Sequence, residues 1–224
     1  MPSTFTALVL SALVTFTSFA EPQSGSVSAA TRAAAPPSEL APPVLSVLSN
    51  DAVTVTVAQP AVTIDFWWAK ALPMKAGSGA PSWAEVDEGT LVGAVKLSVD
   101  YRDIRGRVVK AGVYTLRYGI QPSNGDHLGV SPFRDFLLIS PAAIDTDPAP
   151  RGHDGTIELS KQAIGGSHPG VWSIDPPVAT EAPLQLHKTE LGHEAIVMQV
   201  AVTRGGQPSG MLKFGVVLVG RIEA

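Results

Sequence analysis

The chain has 224 residues, of which 45% are hydrophobic and 16% charged, with a formal net charge of −4. That length suffices for one substantial core without requiring a second domain, and the acidic balance, with no basic stripe of interleaved aromatics, excludes a nucleic-acid-binding surface. With 21 Gly, 19 Pro and no Cys, the composition favours many short strands joined by tight turns over a helical bundle, and rules out disulfide staples and a lipid-modified cysteine, so stability must come from burial.

Residues 1–20 have the pattern of an export signal. Residues 5–19 form an uncharged apolar and hydroxylic run, and Ser18 and Ala20 put small side chains where a signal peptidase cuts, so cleavage after Ala20 is expected. The stretch before Phe5 lacks the usual Lys or Arg. The run is shorter than the ~20 residues a membrane-spanning helix needs, and no later stretch is long and apolar enough either. The expected location is periplasmic or secreted, with no membrane span in the mature chain. Residues 21–43 shift to Ser, Ala and Pro, including Pro36-Pro37 and Pro42-Pro43, the composition of an extended linker. A single folded domain is expected over 44–224.

Within that domain, Val53, Val55 and Val57 alternate with Thr54 and Thr56, as in a strand with one buried face. After Gln59-Pro60 the pattern resumes, with Val62, Ile64, Phe66 and Trp68 on one face and Thr63, Asp65 and Trp67 on the other. Trp67 on the outer face is a candidate stacking platform for a sugar ring, unless a loop folds over it. Residues 70–82 are a Gly/Pro/Ser loop, and 83–89 a second irregular segment. Leu91, Gly93, Val95, Leu97 and Val99 share a face in the next run. Asp103 to Gly106 has hairpin-turn chemistry, and Gly112 is another corner. It launches a strand in which Tyr114, Leu116 and Tyr118 alternate with Thr115 and Arg117.

The phrase Ala111-Gly112-Val113-Tyr114-Thr115-Leu116, a few residues after Asp103-x-x-Gly106, resembles a strand, turn and strand common in immunoglobulin-like and transthyretin-like β-sandwich modules. The longer stretch over 110–136, AGVYTLRY followed by GDHLGVSPFRDF, resembles a group of uncharacterised exported bacterial proteins and extends over most of the chain after about Thr90. The resemblance implies an exported β-sandwich and lends no activity.

Further on, residues 136–139 are apolar on both faces, as in a central strand. Residues 142–154 are rich in Asp and Pro, a surface excursion. Residues 156–164 are the one short helix expected, capped by Thr156 or Asp154 and stopped by Gly165-Gly166. A brief strand over 171–174 precedes Asp175-Pro176-Pro177. The last two runs alternate most cleanly: Ile196, Met198, Val200 and Val202, then Leu212, Phe214, Val216 and Leu218. The expected fold is therefore all-β, an immunoglobulin-like or transthyretin-like antiparallel β-sandwich with one short helix. A closed barrel is the nearest rival.

The richest chemistry lies between two of these strands, where Asp126, His127, Ser131, Arg134 and Asp135 fall in one loop. Gly129-Val130-Ser131 begins like a nucleophile elbow, but the next residue, Pro132, has no backbone N–H for an oxyanion hole, and Phe133 replaces the following Gly. The five histidines, at 127, 153, 168, 187 and 193, lack the spacings that aim two imidazoles at one ion, and Asp145-Thr146-Asp147 opens like a calcium loop without completing it, so no metal or other cofactor is expected. Asp126, His127 and Asp135 could serve acid–base chemistry. The competing reading has Arg134 and Asp135 paired to hold the loop down while His127 bonds to backbone. The function expected is a non-catalytic envelope or secreted module that binds a small molecule, glycan, peptide or protein. The alternative is a hydrolase or metal-dependent enzyme centred on His127.

Overall fold

A computed structural model describes residues 27–58, 61–121, 133–177 and 182–220. The period-two runs become strands β1 (Val27–Ala33), β2 (Asp51–Ala58), β3 (Ala61–Trp68), β4 (Leu72–Met74), β5 (Leu91–Leu97), β6 (Tyr101–Arg102), β7 (Val108–Val109), β8 (Gly112–Ile120), β9 (Asp135–Pro141), β10 (Gly170–Asp175), β11 (Gln185–Lys188), β12 (Glu194–Arg204) and β13 (Gln207–Val219). One large sheet runs in the order β1-β2-β3-β5-β8-β9-β10-β13-β12-β11, antiparallel throughout, with β4 added parallel to β12, while β6 and β7 form a separate hairpin. The sheet curls until β1 approaches β11. Its inner faces enclose the core as two packed layers would, so the fold is all-β and sandwich-like. Among the described residues no helix is long and apolar enough to cross a membrane.

The alternating positions fill the interior as their period demands. Val55, Ile64, Phe66, Ile139, Phe214 and Val216 are fully buried in one cluster that spans the sheet. Its centre is aromatic. Phe66 stacks on Trp68 at 5.3 Å and meets the edge of Trp172 at 5.1 Å, while Tyr101 stacks on Trp172 at 4.8 Å. The Tyr101 hydroxyl donates to the Leu218 carbonyl at 2.7 Å and Trp172 Nε1–H to that of Val217 at 2.6 Å, while Trp68 Nε1 is buried without a hydrogen-bond partner.

The outer face of the sheet is not left to water, and here the structure corrects three expectations. Residues 27–43 are not a linker from Val27 onward. Strand β1 pairs with β2 along its whole length, and Leu40 begins a cover that continues into helix α1 (Pro42–Val47). Beneath this cover Trp67 is only 3% exposed, packed with Leu40, Val44, Leu48 and Ala94, its Nε1–H donated to the Ala34 carbonyl at 2.9 Å. It is no platform. Leu91, expected on the face of Val95 and Leu97, joins Trp67 in this outer cluster because a bulge between Leu91 and Gly93 resets the alternation. Gly93 is required there, since a Cβ would sit 2.6 Å from the Trp67 carbonyl oxygen.

Among the described residues there are thus two α-helices where one was expected. The second, α2 (Gly152–Ile164), starts four residues earlier than the capping signals suggest, because the Thr156 hydroxyl bonds back to the Gly152 carbonyl inside the helix instead of capping it. It ends as expected at Gly165, whose φ of 63° only glycine adopts freely. The buried positions of α2, Thr156, Ser160 and Ala163, face β9 and β10, and the Ser160 hydroxyl lies 2.7 and 2.8 Å from the carbonyl oxygens of Ile139 and Gly170.

The same outer face carries a buried ion pair that alternation alone places in solvent. Arg117 and Asp145 are both 0% exposed. Arg117 Nε and Nη2 meet the two carboxylate oxygens at 2.7 and 2.8 Å, and Nη1 donates to the carbonyls of Gly89 and Ala149 at 2.6 and 2.9 Å. A further bond from Nη2 to the Asp147 carbonyl uses the fifth donor. Thr115 and Arg151 bond to the same carboxylate. Every donor of the guanidinium is matched, which is the condition for a buried charge to be tolerated, and the segment after β9 is folded down over the sheet as a result.

Candidate functional site

Of the loop residues singled out from sequence, Asp126, His127 and Ser131 lie outside the described residues. Arg134 and Asp135 are described, and they do not pair with each other. Side chains of neighbouring residues at a strand start point to opposite faces: Arg134 donates to the Gln121 carbonyl from Nε and Nη2, at 3.1 and 2.7 Å, whereas Asp135 turns toward the core. There its Oδ1 accepts the Tyr118 hydroxyl at 2.6 Å.

From that bond a wall can be followed outward. Burial, and then the Asp135 carboxylate, push the Tyr118 phenol far above its ordinary range, so it remains a donor. Trp83 stacks on the Tyr118 ring at 4.9 Å, nearly parallel, and touches Phe214 edge-on. Trp83 sits in a single 3₁₀ turn (Trp83–Glu85). Its position is fixed by Glu85, which accepts the Ser82 amide and forms a 2.7 Å ion pair with Arg204 of β12. The hydrogen bond from Arg204 holds the Glu85 carboxyl below its usual range, and Arg204 also donates to the Gly79 carbonyl. An irregular segment is thereby held by charge-assisted bonds at its base, which keeps the indole in place.

Trp83, Phe133, Asp135, Asp175, Pro176 and Lys213 wall a cleft of about 410 Å³. No family model matches the chain, nor does any curated protein or solved structure with significant similarity. The cleft must be read from its own chemistry. Its aromatic wall is backed by the core, and Pro176 and Pro177 add apolar lining. The Asp135 Oδ2 engages no described residue, and Trp83 Nε1 is buried without a hydrogen-bond partner.

Asp175 at the end of β10 is 7% exposed, and its Oδ2 has no partner. Burial raises its pKa, an effect that His193 and His187 partly offset. The Nδ1 atoms of both imidazoles are likewise buried and unpartnered. Among the described residues no three His, Asp or Glu side chains are grouped so as to hold a metal ion.

Sequence reasoning brought Asp135 to this cleft and missed Trp83 and Asp175. The signal for Trp83 was an aromatic in a run with no alternation to bury it. For Asp175 it was a carboxylate directly ahead of two prolines, at a strand end.

Proposed function

We propose that the chain is an exported, non-catalytic β module that binds a carbohydrate in the cleft beside Trp83. The observation that carries this reading is the pairing, in one cleft of about 410 Å³, of an immobilised indole with carboxylates at Asp135 and Asp175. An aromatic ring offers its face to the C–H side of a sugar, and carboxylate oxygens accept the hydroxyls that ring the sugar's edge; a mostly apolar wall with a few fixed polar groups is the general form of a ligand site. Export is supported by the uncharged run over 5–19 with small residues at Ser18 and Ala20.

Titration calorimetry of the full chain with cellotetraose and chitotetraose tests the reading. Saturable binding of one of them is expected, lost by at least tenfold in Trp83→Ala and weakened in Asp135→Asn, which keeps an acceptor for Tyr118. Absence of binding by both sugars, or binding indifferent to both substitutions, would overturn it.

A second reading rests on the presence of two carboxyl groups, Asp135 and Asp175, in one cleft. Two carboxyl groups flanking a glycosidic bond are the arrangement of glycoside hydrolysis. Reducing ends released from the same oligosaccharides, and abolished in Asp175→Asn, would favour that reading over simple binding.

A further inference from the structure

A second cavity, of about 240 Å³, lies on the other face of the sheet, between α2 and the ends of β8, β9 and β10. It is held open by its frame. Helix α2 is drawn close to the rest of the fold at both ends. A Cβ on Gly89 would fall 2.6 Å from the Gly152 amide nitrogen near the helix start, and one on Gly170 would touch Ala163 near its end. Between these anchors the stripe His153, Ile157 and Lys161, spaced four apart on one helix face, looks into the cavity. The facing strands present Phe136, Leu138 and Val171, and Gly119 leaves room for the Leu138 side chain, which a Cβ there would meet at 2.8 Å.

The charge around this apolar interior has one sign. Among the described residues, Arg105, His153, Lys161 and His168 line it and no Asp or Glu does. Three of these are engaged, Lys161 with Glu158 at 2.6 Å, His153 with Glu88 at 3.0 Å, and His168 as well. Arg105 is different. It comes from the β6–β7 turn, where Asp103 accepts the backbone amides of Arg105 and Arg107 at 3.0 and 2.8 Å and so fixes the turn. Its guanidinium is half-buried and makes no hydrogen bond to a described residue. A partly desolvated fork of five donors at the mouth of an apolar cavity matches a carboxylate, which it can grip with two parallel bonds.

We propose that this cavity binds a small amphipathic carboxylate, such as a short fatty acid, its tail on Phe136, Leu138 and Val171 and its head group on Arg105. The volume is below the roughly 300–1,000 Å³ of drug-sized sites, which restricts the tail to a short chain or a single ring. The site is separate from the cleft at Trp83 and does not depend on it.

Calorimetry of the full chain with octanoate, octanol and octylamine provides the test. Octanoate binds saturably, octanol more weakly and octylamine not at all; Arg105→Gln weakens octanoate by about tenfold or more, the loss expected for a charge-assisted hydrogen bond, with the melting temperature unchanged. Trp83→Ala leaves octanoate binding as it was, which separates this site from the carbohydrate cleft. Octanoate that fails to bind, octylamine that binds as well as octanoate, or octanoate affinity unaltered in Arg105→Gln would each overturn the proposal.

Discussion

Two arginines, Arg117 on the outer face of the large sheet and Arg105 in the turn of the β6–β7 hairpin, have opposite fates. Arg117 is wholly buried, with all five donors matched by Asp145 and three backbone carbonyls. Arg105 is half-buried in a turn, with none matched by a described residue, and it lines an apolar cavity. The first is a fastener and the second an open hand. A guanidinium whose donors are all used can do nothing further, while one kept partly from water with its donors unused, Asp103 nearby supplying charge but no hydrogen bond to it, is set up for an anion that arrives from outside. Satisfaction of polar groups, more than their burial, separates structure from recognition in this molecule.

The contrast breaks most visibly if the fastener is cut. Arg117→Met leaves the fully buried Asp145 carboxylate with only Thr115 and Arg151 as side-chain partners, and should cost about 3–5 kcal/mol in urea unfolding. Restoring balance with Asp145→Leu in the same chain should recover much of that loss, because an apolar pair of similar volume is tolerated where a lone charge is not. If the single variant unfolds at the same denaturant concentration as the parent, the pair is not a fastener.

A milder test uses Asp175, buried like Asp145 but left with an unpartnered oxygen. Its pKa in the fold is raised, by burial first, above the ordinary carboxylate value. The stability tied to its proton is therefore fully present below the unfolded pKa and lost as pH rises through the higher folded one. Asp175→Asn should melt at a higher temperature than the parent at pH 8, and this advantage should fade as pH falls toward about 4, near the unperturbed Asp pKa. A variant less stable than the parent at pH 8 would show that the charge has a partner after all. The smallest effect belongs to Arg105→Gln, which should change unfolding free energy by no more than about 0.5 kcal/mol, while it sharply weakens octanoate. A large loss of stability would make Arg105 a second fastener and erase the contrast.

The strands were legible in the sequence because one face of each is apolar at period two. Val53, Val55 and Val57, or Ile196, Met198 and Val200, admit few other placements. The outer face was not legible. Alternation says only that Trp67, Thr115 and Arg117 oppose the core, and solvent is the default for such positions. They are covered by chain that carries no periodic signal: Leu40 to Leu48 over Trp67, and the Asp-rich stretch around Asp145 over Arg117. Segments full of Pro, Ala and Asp look like linkers and surface loops when read locally. Their burial is decided by contacts across more than twenty residues of separation, such as Trp67 with Ala34 or Arg117 with Asp145. The candidate site followed the same rule. Asp135 was found because it opens a strand, and Trp83 was missed because a single 3₁₀ turn has no periodicity to reveal it.

The indole N–H signals offer the most direct test of the carbohydrate reading, since the chain has four tryptophans in different settings. Trp67 and Trp172 donate to backbone carbonyls inside the fold, Trp68 is buried in the core, and Trp83 alone lines the cleft. In a two-dimensional ¹⁵N–¹H spectrum recorded during titration with cellotetraose or chitotetraose, the Trp83 indole should shift progressively to saturation while the other three hold their positions. A spectrum in which Trp83 stays fixed, or in which a different indole moves instead, would contradict the assignment of the cleft as the binding site.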